Sequence, residues 1–223
     1  MTELRIADVT VGGDHARIDQ LDRDATAVIV GVGGEARSGT NGISYVGGGG
    51  GLAVSRRYGV AVAAPGSEAL AGARSMALAF DGGKASGGDG AVVWAWRAGT
   101  AQVAKGGMAR SLDGAASGGV NSIVFAERRL ASGVVADAAT GGVAVVREVG
   151  DTTPFAPALA RAATGAIAIA FDGHHVSGEI GALLVATYDG KGGRRFATAL
   201  VDGTQIEAGR AYTVDVHGHF VPA

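Results

Sequence analysis

Near the C-terminus, four side chains capable of chemistry alternate along one short stretch: Thr213, Asp215, His217 and His219. On a strand, alternate residues leave the same face. A His-x-His pair there could place two imidazoles on one metal ion, with the Asp215 carboxylate as a third ligand. A solvated strand face accounts for the same residues without a metal. A second histidine pair, His174-His175, follows Asp172-Gly173, and this placement predicts an exposed loop tip. Asp81, Asp172 and Asp189 could serve as acids or Ca²⁺ ligands. Each precedes a glycine, however, and turn formation explains all three. Trp94 and Trp96 share a strand face and could form a platform for a sugar ring. A related stretch further along has Val185 and Thr187 at these places, which favours a core role for the tryptophans. No nucleophile–base pair or carboxylate pair stands out. The glycine run Gly47–Gly51 lacks the Lys-Ser/Thr of a phosphate-binding loop. The expectation is a protein without catalytic residues, cofactor or resident metal.

The elements that position these residues are strands. In 75–80, Met76, Leu78 and Phe80 alternate with Ser75, Ala77 and Ala79. In 91–96, Val92, Trp94 and Trp96 alternate with Ala91, Val93 and Ala95. Period-two alternation is strand geometry. The larger face is expected to fill a core between two sheets. The other face is mostly alanine, a poor strand former. Either a neighbouring module or subunit covers that face, or a GC-rich genome writes alanine where little is required.

The stretch 75–99 returns at 166–190 without a gap, an offset of 91, with eleven of 25 positions identical. Gly50–Gly59 aligns with Gly141–Gly150 at the same offset. This predicts a duplicated module of about 90 residues, longer than a solenoid repeat. The chain order predicts about 14 strands and no helix. Leu4–Val11, Ala27–Val32, Ile43–Val46 and Leu52–Ala63 carry strands. His15–Asp24, Gly33–Asn41 and Pro65–Ala73 are loops or short helical turns, and so is Asp151–Ala163. Thr100–Val120 is an inter-module connection, and Arg194–Val201 with Arg210–Phe220 forms a closing hairpin. The fold expected is all-β: two tandem antiparallel β-sandwich modules, jelly-roll or Ig-like, over 1–100 and 101–223.

Composition bounds the function. Forty of 223 residues are glycine, without a collagen period, and four are proline. Recurrent Asp-Gly pairs suit tight turns that need positive φ. Net charge is −2 and basic residues are scattered, so no nucleic-acid footprint is present. Cysteine is absent, which excludes a disulfide framework. Charges interrupt the N-terminal stretch where a signal peptide needs an apolar run, and no stretch reads as a transmembrane helix. The expected site of synthesis is the bacterial cytoplasm.

Ala27–Val32, Ile43-Ser44-Tyr45-Val46-Gly47-Gly48, Tyr58–Pro65, Ser75–Phe80 and Ala91–Trp96 follow one another in an order that resembles small β-sandwich modules of tailed-phage virion proteins and phage-like particles. The resemblance covers residues 27–100, is one of pattern, and carries over no functional residue. It implies a capsid decoration, head-spike or tail component that binds copies of itself and other virion proteins. Low charge and alanine-faced strands fit such an assembled subunit. A carbohydrate-binding adhesin that contacts host glycans is the alternative.

Overall fold

A computed structural model describes residues 9–129, 133–149 and 157–223. Among them are 24 strands and no helix. The first half runs β1 (Val9–Gly12), β2 (Arg17–Gln20), β3 (Thr26–Ile29), β4 (Glu35–Ser38), β5 (Ile43–Val46), β6 (Leu52–Ser55), β7 (Val60–Ala63), β8 (Glu68–Ala71), β9 (Met76–Ala79), β10 (Lys84–Gly87), β11 (Val92–Ala95) and β12 (Thr100–Val103). The second half runs β13 (Met108–Leu112), β14 (Ala115–Gly118), β15 (Ile123–Arg128), β16 (Val135–Ala138), β17 (Val143–Glu148), β18 (Leu159–Ala162), β19 (Ile167–Ala170), β20 (His175–Gly178), β21 (Leu183–Gly190), β22 (Gly193–Leu200), β23 (Tyr212–Val214) and β24 (Phe220–Pro222).

From β1 to β21, successive strands do not pair. Each strand pairs in parallel with the next but one, as β7 does with β5 and β9. The odd strands from β1 to β21, closed by antiparallel β22, form one twelve-stranded sheet. The even strands from β2 to β20, closed by β23 and β24, form the other. The chain therefore winds as a flattened parallel β-solenoid of about 10 turns. This overturns the expected antiparallel sandwich modules, jelly-roll or Ig-like. β12 spans the expected boundary at residue 100, and both sheets run through it.

The local reason is an eight-residue unit. Four residues make a strand and four make a corner, so strands of the first sheet begin 16 residues apart at Val60, Met76, Val92 and Met108. Corners hold a left-handed residue: Asn41 (φ 58), Gly66 (φ 69), Gly90 (φ 66), Gly106 (φ 68) and Asn121 (φ 57). Glycine and asparagine enter this region at little cost. Asp81 and Asp172 also take positive φ, so the turn reading of these two is correct. Their turns link strands of opposite sheets and are not hairpins. Asp189 lies within β21, whose hairpin partner is β22. Corner serines tie turns together: Ser67 Oγ donates to Gly48 O (2.7 Å) and accepts from Gly51 N (3.2 Å).

The apparent duplication arises from this short period. β9 and β19 lie five turns apart in one sheet, and the intervening turns include two enlarged ones, around β15–β16 and β17–β18. At the same offset β6 falls on β17, a strand of the opposite sheet. Every half-turn has a similar pattern, so a shifted copy matches wherever the lengths agree.

The core lies between the sheets and is built of small residues. Ala61, Ala77, Ala109, Ala144 and Ala168 of the first sheet are fully buried, as are Ala36, Ala53, Ala69 and Ala101 of the second. Four-residue corners hold the sheets too close for larger pairs. Where Val93 and Val103 enter, Gly87 makes room: a Cβ there would lie 2.6 Å from Val93 Cγ2. The alanine face is thus the interior, and the larger face points outward. Met76 and Phe80 are each 40% exposed.

Several segments read as loops are strands: His15–Asp24 contains β2, Gly33–Asn41 contains β4, Pro65–Ala73 contains β8 and Thr100–Val120 contains β12 to β14. Of the expected opening strand Leu4–Val11, residues 4–8 lie outside the described residues, as do 151–156 of Asp151–Ala163. Arg194–Val201 and Arg210–Phe220 do not pair with each other. The first contributes β22, which pairs with β21, and the second contributes β23, which pairs with β24.

Candidate functional site

Because the interior takes the small face, the first sheet presents its large face to the outside. Strand register aligns these residues into ladders. One runs Ile43–Val60–Met76–Val92–Met108–Ile123–Val143–Ile167–Leu183. The neighbouring one runs Val28–Tyr45–Val62–Leu78–Trp94–Arg110–Phe125 and on to Val145, Ile169 and Val185. Arg110 is the only charged residue in either. Contiguous apolar area on this scale marks a contact surface.

The opposite face differs. On β2 and β4, Arg17 lies 3.0 Å from Asp19 and 3.7 Å from Glu35, and Arg37 pairs with both carboxylates. Lys84, Thr100, Gln102 and Ser117 continue its outward side among a few apolar residues. The two faces of the solenoid are chemically unlike.

Midway along the apolar face, Leu78, Ala79, Phe80, Trp94 and Trp96 line a cleft of about 240 Å³. The tryptophan rings are 5.4 Å apart and tilted by 52°. Arg110 lies over Trp94 with Cζ 4.7 Å from the ring centroid. Glu127, itself buried, ties that guanidinium down: Arg110 Nε donates to Oε2 at 2.8 Å, and Arg147 Nε donates to Oε1 at 2.7 Å. The core reading of Trp94 and Trp96 is therefore wrong. Both lie half-buried on the outer surface, since an eight-residue unit with alanine inside leaves them no interior. Trp94→Ala/Trp96→Ala is expected to leave the circular dichroism spectrum unchanged. It should cost about 1–2 kcal/mol in urea titration, against 3–5 for a core tryptophan.

The C-terminal histidines do not share a strand. Asp215–His219 is the turn between β23 and β24. Asp215 Oδ1 accepts the backbone N–H of His217 (2.9 Å) and of His219 (2.8 Å). Those bonds, that of His219 first, hold the carboxyl below its ordinary value. The imidazole centroids are 6.3 Å apart. Among the described residues no group of three or more His, Cys, Asp or Glu could hold a metal ion.

His174 is not at an exposed tip. It is 3% exposed, with Nδ1 accepting the Ala158 N–H at 3.3 Å. Sequence reasoning also missed its surroundings. Arg128 and Glu148 occupy inward positions of β15 and β17, are register partners, and pair at 3.3 Å. Burial, and then the Arg128 guanidinium, push the His174 imidazole below the usual 6.5. Burial pushes His175 the same way. The unfolded chain then binds more protons than the native one below that value, so stability rises with pH. It is complete above about pH 6.5 and falls as pH drops through the native values. The urea midpoint should fall between about pH 7.5 and pH 5, and His174→Gln should flatten that fall.

No known protein family, curated protein or solved structure matches the chain.

Proposed function

We propose that the chain is a non-enzymatic structural subunit, a rigid rod that works by protein–protein assembly through the apolar face of its first sheet. The contrast between that face and the charged one opposite carries the reading: a monomer gains nothing from two apolar ladders in water. A phage or phage-like particle was the setting inferred from residues 27–100. Those residues are successive solenoid turns, so the proposal is of assembly and not of a named particle. No helix among the described residues is long and apolar enough to cross a membrane.

The test is a photo-crosslinking amino acid placed at Tyr45, or at Gln102 on the opposite face, in cells that make the protein. Adducts identified by mass spectrometry from Tyr45 and not from Gln102 support the reading. No adduct from Tyr45, or equal yields from both sites, sinks it.

A glycan-binding adhesin is the second reading, favoured by the outward position of Trp94 and Trp96. Against it, the cleft is lined almost wholly by apolar atoms, and a sugar site needs placed polar groups beside its rings. Glycan binding by the wild type, absent from the folded Trp94→Ala/Trp96→Ala variant, would reverse the order of the two.

A further inference from the structure

We propose that the occupant of the apolar face is a second copy of the same face, giving a two-fold dimer in which the two first sheets pack against each other. This rests on the assembly reading and names its partner.

The first argument is shape. Twelve strands spaced about 4.8 Å apart make a face about 50 Å long, and four residues per strand make it about 13 Å wide. A surface ribbed at that interval is matched by another ribbed at the same interval. Sheets with apolar inner faces pack this way, about 10 Å apart.

Area is the second. About 650 Å² per copy, or about 1,300 Å² in all, lies within the range of specific interfaces.

Charge is the third. A partner of opposite charge finds nothing to pair with on these ladders. Arg110 carries their one charge, and Glu127 already accepts from it at 2.8 Å. Arg147 is tied to the same carboxylate, so each copy brings its charges to the interface hydrogen-bonded and with a single net positive one.

Symmetry is the fourth. β11 and β13 are the sixth and seventh of the twelve strands. A two-fold axis through the middle of the face closes the dimer and sets the cleft of Phe80, Trp94 and Trp96 beside it. The bulkiest anchors then fall where interface energy concentrates.

The test uses the purified full chain. Light scattering across a concentration series should give the mass of a dimer. The chain has no cysteine, so single substitutions report proximity cleanly. Met108→Cys, next to the expected axis, should form an intermolecular disulfide in most of the protein under mild oxidation. Gln102→Cys should not. Val92→Lys/Met108→Lys should weaken dimerisation at least about 100-fold, with the circular dichroism spectrum retained and a urea midpoint that no longer depends on protein concentration. A wild type that stays monomeric at every concentration overturns the proposal, as does a dimer linked through Gln102→Cys. Monomers that still give Tyr45 adducts in cells would leave the assembly reading standing and the self-pairing refuted. Monomers that instead sediment with lipid vesicles would refute self-pairing and identify a membrane surface as the occupant.

Discussion

Ala77→Leu is expected to destabilise the protein by about 3 kcal/mol or more, whereas Met76→Ala, one residue away, should cost less than about 1 kcal/mol. The usual order of such substitutions is the reverse, since truncating a large apolar residue normally opens a cavity. Here Met76 is 40% exposed and Ala77 is wholly buried. Ala77 sits in register between Ala61 and Val93, both also wholly buried, with corners of four residues fixing how far apart the sheets can stand. Three added carbons have no void to enter. Because the strands are linked through every turn, the sheets cannot part at one rung without straining the corners above and below. Urea titration of both variants checks this. A Met76→Ala cost above that of Ala77→Leu would show that the outward face is the true core.

The strands themselves were legible in the sequence. Alternation at 75–80 and 91–96 placed β9 and β11, and Leu52–Ala63, read as carrying strands, holds β6 and β7. The sheet that those strands join was not legible, because pairing direction leaves no mark within a strand. The corners did leave one. Gly66, Gly82, Gly90 and Gly106 recur at multiples of eight, and Ala61, Ala69, Ala77 and Ala85 keep step with them. That interval is the half-turn of the solenoid, and it is overlooked when the longer match at 91 is taken for the unit. The inside was misassigned for a physical reason. Large apolar residues usually mark a core, but the interior of this two-sheet solenoid is filled mostly by alanine, with a valine, isoleucine or leucine at a few rungs, so most of its larger residues face out. Trp94 and Trp96 were misplaced by the same argument. His174 was hidden differently: it follows Asp-Gly as an exposed tip would, yet it lies buried near Arg128 and Glu148, on the strands of the two enlarged turns.

Those enlarged turns carry the second large effect. β15 and β17 each extend to six residues, so Arg128 and Glu148 point inward beyond the alanine-filled section. The Arg128 side chain is 3% exposed and that of Glu148 21%. Glu148→Ala is expected to cost about 1–3 kcal/mol, because it withdraws one carboxylate partner from a guanidinium that is almost wholly buried. The loss should lie in the charge rather than in the volume. Arg128→Met/Glu148→Leu, which removes both ions and keeps the space filled, should therefore recover most of it. Glu148 also raises the proton affinity of His174, against the larger effects of burial and Arg128. In Glu148→Ala the acid-side decline in stability should accordingly extend down to a lower native value of His174 and so run over a wider pH range. Urea titrations of the single and double variants at two pH values separate these effects. If Glu148→Ala costs less than about 1 kcal/mol, Arg128 is compensated by other groups, and the pair is not what holds this corner of the solenoid together.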